Sequence, residues 1–385
     1  MNPTESAELR AAYVSGSQAA SMPVREEWID CLRGLTMLLV VMAHFEVECG
    51  RWMAFSKWMS MIRMPMFVFI SGYFAYSARI VPDVRQLVKS QWLHRLKLII
   101  WPSALMFLLY APCFMHVYSY TPKDVLLTGS MLGYWYTFGI FEMFVLCTPL
   151  VCLVNSGRRG RVTGTVILLL LSVVAVYVHR LMENPEVLLN KYTLLLLLNS
   201  VSGYLPFFIA GMLVHAYRER VWRLFPRLWV PAAVALTLFV LLNLHYPESF
   251  VFISDFTWTM PLFVVMTVCV FVALSGCKGV LNGGNRAGRV LSIIGRNTLP
   301  IYLFHFFFNL WIGRVVILNY LPELPQNDIL WIPFVLVMTC VITAGSLGLY
   351  QLLECAGMRK YVFPGHAAGL RGYKMQEKVE KIMQP

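Results

Sequence analysis

The chain has 385 residues, of which 58% are hydrophobic and only 14% are charged, and its mean hydropathy is +0.64. A soluble domain carries roughly 25% charged and roughly 45–50% apolar residues, so this composition excludes an ordinary soluble globular protein. In a soluble protein the net charge of +12 would suggest a nucleic-acid partner, but basic residues also collect in the cytoplasmic loops of membrane proteins. We therefore predict a protein that lies mostly within a lipid bilayer and binds no nucleic acid.

Ten stretches of the chain have the roughly 20 mainly apolar residues that a membrane-spanning helix needs. Helices are expected because the bilayer core offers no water to satisfy strand edges. The predicted spans are Trp28–Glu48, Met59–Ala78, Leu96–Tyr118, Leu126–Val154, Val162–Leu181, Thr193–Tyr217, Trp229–Tyr246, Phe256–Ser275, Ile293–Val316 and Ile329–Leu353. The predicted fold is all-α, a polytopic membrane helical bundle of about ten transmembrane helices.

The distribution of positive charge predicts the topology independently. Most of the 32 Lys and Arg residues fall in segments that are cytoplasmic when the N-terminus is placed inside and the spans alternate. This favours an N-in, C-in arrangement. It also predicts a cytoplasmic N-terminal tail over residues 1–27, a transmembrane domain over 28–355 and a basic cytoplasmic C-terminal tail over 356–385. Any chemistry is then expected inside the bundle or at its rims.

The first span carries four ionisable residues, Asp30, Arg33, His44 and Glu46, and such residues within a membrane are costly and usually functional. Arg33 and His44 are eleven residues apart, about three turns, so both project from one face, about 16 Å apart along the axis. The Arg could hold an anionic donor at the cytoplasmic end, and the His could act as a base on an acceptor. A snorkelling Arg and a hydrogen-bonded structural His are the alternative interpretation.

Further polar residues occur in three other spans. The second span carries Arg63, Ser71 and Tyr73, and its small residues favour close helix approach. In the fourth span, which also carries Trp135, Glu142 is the lone acid, and we expect an Arg or His from another helix to pair with it. The ninth span carries Asn297, Thr298, Tyr302 and His305, which recur at helical spacing along one side.

Several common catalytic motifs are missing from the sequence. It contains no Walker loop, GxGxxG, HExxH or GxSxG, so nucleotide hydrolysis, dinucleotide redox chemistry, zinc proteolysis and elbow-serine hydrolysis have no support. The nine cysteines are scattered singly without a CxxC pair, and we predict no metal site.

Four segments resemble the acyltransferase-3 family of membrane O-acyltransferases, in the family order. Residues 28–44, WIDCLRGLTMLLVVMAH, are similar to its (Y/W)-(I/L)-D-x-(L/I)-(R/K)-G opening, with a His eleven residues beyond the Arg. Residues 64–74, MPMFVFISGYF, resemble its second-helix MPLFFFISGYF, especially in the fucose-4-O-acetylase-like branch. Residues 203–211, GYLPFFIAG, resemble YxPFFxxG, and residues 295–305, GRNTLPIYLFH, resemble G-x-x-S-x-x-I-Y-L-x-H.

This resemblance implies transfer of an acyl group, usually acetyl from cytoplasmic acetyl-CoA, to a hydroxyl of a cell-surface or lipid-linked glycan. It implies a multi-pass protein of the bacterial inner membrane, with His44 as the catalytic His and Arg33 as its partner. Where the family often has R-x-x-R entering the third helix, this chain has His94, Arg95 and Lys97, which keep the basic character without the motif.

Residues and resemblance together suggest that acyl-CoA docks at the cytoplasmic rim and that His44 deprotonates the acceptor or relays the acyl group. The cavity is expected between spans one, two and nine. The predicted sites are catalytic His44 and Arg33, acyl-CoA-binding Arg95, Lys97 and His94, and substrate-cavity Asp30, Arg63, Ser71, Tyr73, Glu142, Trp135, Asn297, Tyr302 and His305. We expect acyl-CoA, a glycan or lipid-linked sugar and the bilayer as partners, and no permanently bound cofactor. Homo-oligomer formation is left open.

Three alternatives stay open at this point. A succinyl transferase acting on periplasmic glucans would differ mainly in its donor pocket. A transporter or flippase of sugar lipids would show inverted repeats and broken midplane helices. A glycan polymerase would normally carry larger extracytoplasmic loops.

Overall fold

The computed structural model describes residues 26–51, 53–76, 87–127, 131–182, 198–245, 256–281, 284–321, 323–324 and 328–364. Within these ranges the regular structure is helical and contains no strand. Residues 1–25 of the predicted N-terminal tail and residues 365–385 of the predicted C-terminal tail lie outside the described residues.

The helices are numbered here in chain order. They are α1 Glu27–Glu48, α2 Ala54–Ala75, α3 Leu87–Tyr118, α4 Pro122–Leu127, α5 Trp135–Asn155, α6 Arg158–Met182, α7 Leu198–Ala216, α8 Arg218–His245, α9 Phe256–Gly276, α10 Arg286–Arg296, α11 Thr298–Tyr320, α12 Asp328–Cys355 and α13 Arg359–Val362. Two of them contain π-helical stretches, Leu87–Trp92 and Leu96–Ile100 in α3 and Asn309–Ile317 in α11.

Six helices of the described chain are long and apolar enough to cross a membrane, namely α1, α3, α5, α6, α11 and α12. Helix α7 and the start of α8 meet at a bend of 85° and make a seventh candidate if they form one span. Helices α2 and α9 contribute shorter apolar stretches, Ile62–Ala75 and Met260–Gly276. The all-α membrane bundle is confirmed, whereas the count of ten and the orientation of the termini stay predictions.

Three helices begin nine or more residues from the start of the corresponding predicted span. The third was expected from Leu96, but α3 begins at Leu87 and so includes the basic residues thought to precede it. The fourth was expected from Leu126, but α5 begins at Trp135, because Leu132 adopts a left-handed φ of 54° that interrupts the helix. The seventh was expected from Trp229, but its helix α8 begins at Arg218.

The predicted ninth span, Ile293–Val316, is broken at Asn297, whose φ of −113° and ψ of 28° are not helical. Pro300 explains the break, because it has no N–H for an intrahelical bond and its ring would collide with the carbonyl of the residue four positions earlier. Apolar residues continue through the break, so hydropathy alone does not reveal it. The span therefore consists of α11 from Thr298, with α10 as a separate helix before it.

Helix α1 is the element that organises the site, and its N-terminal half packs tightly on α10. A Cβ on Gly295 would lie 1.8 Å from the carbonyl oxygen of Asp30, and a Cβ on Gly34 would lie 2.1 Å from a carbonyl of α10. Only glycine permits such close backbone approach. The crossing places Arg33 of α1 beside Thr298, the first residue of α11.

The packed bundle extends past the predicted domain end at residue 355. Val362 and Phe363 are buried, and the ring of Phe363 lies 5.1 Å from that of Tyr350 and 6.0 Å from that of Phe304. The first residues of the predicted C-terminal tail are therefore part of the core.

Candidate active site

A pocket of about 220 Å³ lies between α1, α2, α3, α5 and α11, and we call it the inner pocket. Its polar lining consists of Arg33, Ser71, Arg95, Tyr136, Thr137, Thr298 and Tyr302. Apolar side chains complete the wall. A pocket in which polar groups converge from several helices is typical of a ligand site.

Two guanidinium groups give the inner pocket its positive charge. Arg33 donates a hydrogen bond of 2.8 Å to the Thr298 hydroxyl, and its guanidinium lies 5.4 Å from the centre of the Phe74 ring. The Arg95 guanidinium lies 3.8 Å from the centre of the Phe144 ring. Because guanidinium groups bind phosphate and carboxylate well, this pair predicts an anionic ligand.

Hydroxyl groups on the opposite wall are held by hydrogen bonds within the protein. The Ser71 hydroxyl donates to the Phe67 carbonyl at 2.9 Å, so the Tyr136 hydroxyl, 2.7 Å away, donates to Ser71. The Tyr302 hydroxyl donates to the carbonyl of Gly133. These groups are therefore positioned before any ligand arrives.

His44 and His305 lie together beyond the inner pocket, and we call them the histidine pair. Their ring centres are 5.3 Å apart, and the ring of Phe306 packs against both. His305 is fully buried, and its Nδ1 lies 3.1 Å from the Ile301 carbonyl, so Nδ1 carries the proton and Nε2 keeps its lone pair. No protein group within the described residues hydrogen-bonds to that Nε2.

Tyr302 connects the two regions. It lines the inner pocket, and its ring centre lies 5.7 Å from that of His305. Arg33 and His44 are separated by about 16 Å along α1, at about 1.5 Å per residue. The two guanidinium groups therefore lie at one level of the bundle and the two imidazoles at another.

A family model described as an acyltransferase domain, that of acyltransferase-3, matches residues 26–350. The chain belongs to the acyltransferase-3 family. The match runs from the residue before α1 into α12, so it includes both the inner pocket and the histidine pair. This chain is thus a multi-pass membrane acyltransferase, a transferase that acts on acyl groups. No curated protein and no solved structure matches it.

Three predicted cavity residues of the acyltransferase serve the helix framework instead of the pocket. Asp30 is buried and accepts an ion pair from Arg296 at 3.4 Å. The Asn297 side chain donates to the carbonyl four residues earlier, at the end of α10. Tyr73 donates to Glu26 at 3.2 Å, and its ring stacks on that of a histidine of α7.

The other predicted cavity residues have mixed outcomes. Ser71 and Tyr302 line the inner pocket, whereas Trp135 stacks on Tyr204, with ring centres 5.1 Å apart. Arg63 interacts electrostatically with the buried Glu46, an interaction that sequence reasoning did not predict. The lone acid of the fourth span, Glu142, makes no hydrogen bond or ion pair among the described residues, and the expected basic partner is absent there.

Of the three residues predicted to bind acyl-CoA, only Arg95 lines the inner pocket. His94 and Lys97 are exposed, because all three lie on one helix and successive residues point in different directions around it. The same geometry explains a missed residue. In the fourth span the predicted cavity residue was Trp135. The structure instead places its neighbour Tyr136 in the pocket wall, together with Ile140 four residues later. The sequence carries no signal that distinguishes Tyr136 from Trp135, because the neighbouring helices determine which side of α5 faces the pocket.

Proposed function

We propose that this acyltransferase moves an acetyl group from acetyl-CoA to a hydroxyl of a cell-surface or lipid-linked glycan, at the bacterial inner membrane. The observation that carries the proposal is the placement of Arg33 and His44 on α1. Arg33 is fixed in a cationic pocket by Thr298, and His44, further along α1, lies against His305 of α11.

The donor end of the proposed reaction is the inner pocket. Arg33 and Arg95 both line it and supply the charge needed to bind an anionic group of acetyl-CoA. The pocket is too small for the whole donor, so it holds only part of the molecule, with the thioester directed toward His44. His94 and Lys97 are exposed on the same helix as Arg95, and Lys97 adds positive charge at its surface.

The chemistry assigned to His44 is general-base catalysis. Its imidazole takes the proton of the acceptor hydroxyl as the hydroxyl oxygen attacks the thioester carbonyl carbon. The carbon–sulfur bond then breaks, and the leaving CoA thiolate receives the proton from His44. The products are the acetyl ester and CoA, and a positioned base of this kind contributes typically 10²–10⁴-fold to the rate.

The test is acetyl-CoA binding and thioester loss by the purified protein in detergent, with and without glycan acceptors. We expect His44→Ala to slow thioester loss by roughly 10²–10⁴-fold while leaving acetyl-CoA affinity nearly unchanged, because the base acts only on the chemical step. His116→Ala is the matched control, since His116 is an exposed histidine of α3 that does not line the pocket.

The same measurement separates the alternative functions. Turnover of succinyl-CoA in place of acetyl-CoA would move the assignment to a succinyl transferase. Absence of binding to either donor at millimolar concentration would contradict acyl transfer from CoA and favour a transporter. Near wild-type turnover by His44→Ala would remove His44 from the mechanism.

A further inference from the structure

Two side chains of α11 are buried with polar atoms that have no hydrogen-bond partner among the described residues. His305 is 0% exposed and Asn309 is 1% exposed, and neither the Nε2 of His305 nor either amide atom of Asn309 has a hydrogen bond within the described residues. The large majority of buried side-chain polar atoms in proteins have a hydrogen-bond partner, either a protein group or an ordered water, because leaving one unsatisfied is costly. Two in one turn of a helix therefore indicate groups kept for a ligand.

Asn309 lies one turn of α11 beyond His305, toward the C-terminal end of that helix. Along α1, His44 meets His305, and one turn further a Cβ on Gly313 would lie 2.9 Å from the Cβ of Glu48. Asn309 falls between these two levels of α11. It also begins the nine-residue π-helical stretch, and π-helical insertions occur frequently at functional sites.

The chemistry of the two free groups restricts the ligand. Because Nδ1 of His305 donates to a backbone carbonyl, Nε2 can only accept a hydrogen bond, so it requires an N–H or O–H donor. The nearby Tyr302 hydroxyl cannot serve, because it already donates to Gly133. The amide of Asn309 both donates and accepts, which suits a hydroxyl or an ether oxygen.

We propose that the acceptor is a sugar bound through a vicinal diol, with one hydroxyl at His44 and its neighbour at His305. The first hydroxyl loses its proton to His44 and becomes acetylated, as in the proposed function on which this inference rests. The second keeps its proton and donates a hydrogen bond to Nε2 of His305. Asn309 binds the next oxygen of the sugar. A simple alcohol would leave Nε2 buried and unsatisfied, so the site rejects it.

The experiment compares a methyl hexopyranoside that carries a vicinal diol with its monodeoxy analogues, using the full-length protein in detergent with acetyl-CoA. For the wild type we expect transfer to fall roughly 10- to 100-fold when the neighbouring hydroxyl is removed. For His305→Leu we expect transfer to the diol to be lower than in the wild type by a similar factor. Removing the neighbouring hydroxyl should then cause no further fall in this variant. His305→Gln, whose amide oxygen is an acceptor, should recover part of the loss.

Asn309→Leu adds a readout that a merely structural role would not give. It removes an unsatisfied amide at similar volume, so we expect the melting temperature to stay or rise while the KM for the sugar increases roughly tenfold. Ser292→Ala is the matched control, because it also removes a buried hydroxyl with no partner among the described residues, but on α10. We expect it to leave transfer unchanged.

The outcomes distinguish this inference from the proposed function. Equal losses by His305→Leu on the diol and the deoxy sugar would overturn the diol assignment. So would His44-dependent acetyl-CoA turnover without acetylation of any vicinal diol, and in that case acyl transfer itself would stand. A wild-type protein that neither binds nor turns over acetyl-CoA would overturn the proposed function and the diol assignment together.

Discussion

The inner pocket and the histidine pair lie at different levels of α1, and their polar groups are satisfied in opposite ways. In the inner pocket, Arg33 is bonded to Thr298 at 2.8 Å, and the hydroxyls of the facing wall are bonded within the protein. At the histidine pair, Nε2 of His305 and the amide of Asn309 have no protein partner in the described part of the chain.

This difference separates two ways of preparing a site for a ligand. A group that is already hydrogen-bonded is held in one orientation, so less ordering is required when the ligand binds. A buried group with no partner costs stability until a ligand satisfies it. Changes in the inner pocket should therefore affect both stability and donor affinity, whereas changes at His305 and Asn309 should affect turnover without lowering stability.

The largest effect is expected at the crossing that holds the inner pocket together. In Gly295→Ala the new Cβ would lie 1.8 Å from the Asp30 carbonyl, and a backbone carbonyl cannot rotate away as a side chain can. We expect a loss of about 3 kcal/mol in unfolding free energy, at the upper end for overpacking, together with weaker acetyl-CoA binding. Thermal unfolding and donor binding in detergent measure both.

Gly348→Ala is the matched control, because apart from the neighbouring backbone of α12 itself no heavy atom lies within 4 Å of the position that the new methyl group would take. It should leave stability unchanged or raise it by about 0.5–1 kcal/mol through helix propensity. If Gly295→Ala were equally harmless, the close crossing would not be what positions Arg33.

A smaller effect is expected from the charge in the inner pocket. Arg33→Ala removes a guanidinium that is proposed to bind the donor, and a hydrogen bond to a charged group contributes about 1.5–3 kcal/mol. The KM for acetyl-CoA should rise roughly 10- to 100-fold, with a smaller change in kcat. Arg33→Lys keeps the charge but loses the planar, forked guanidinium, so its KM for acetyl-CoA should lie between those of the wild type and Arg33→Ala. A fall in kcat at unchanged KM would instead place Arg33 at the reacting atoms.

Sequence reasoning predicted those features of the site that depend on a single helix. Arg33 and His44 share a face of α1 because eleven residues are about three turns, and this requires no knowledge of neighbouring helices. The break at Asn297 was missed because hydropathy continues across it, although Pro300 carried the signal. Trp135 and Tyr136 are successive residues, so their side chains point about 100° apart around α5. The prediction named Trp135, whose side chain points away from the pocket.

Features that depend on contacts between helices could not be predicted in this way. In the sequence, Asn309 is an ordinary polar residue of the predicted ninth span. It becomes a candidate only because the structure buries it, and neither atom of its amide has a hydrogen-bond partner among the described residues. Likewise, the ion pair of Asp30 with Arg296 follows from the close packing of α1 on α10. One sequence does not show which residues of distant helices meet.

The smallest effect concerns the orientation of Arg33. Thr298→Val removes the hydroxyl that accepts its 2.8 Å hydrogen bond and keeps nearly the same shape. We expect acetyl-CoA affinity to fall about fivefold, which corresponds to about 1 kcal/mol for one hydrogen bond. Thr339→Val is the matched control, because the Thr339 hydroxyl donates to a carbonyl of its own helix α12, away from the inner pocket, and should leave affinity unchanged. If Thr298→Val also left affinity unchanged, Arg33 would be oriented by other contacts, and the inner pocket would not be held ready by Thr298.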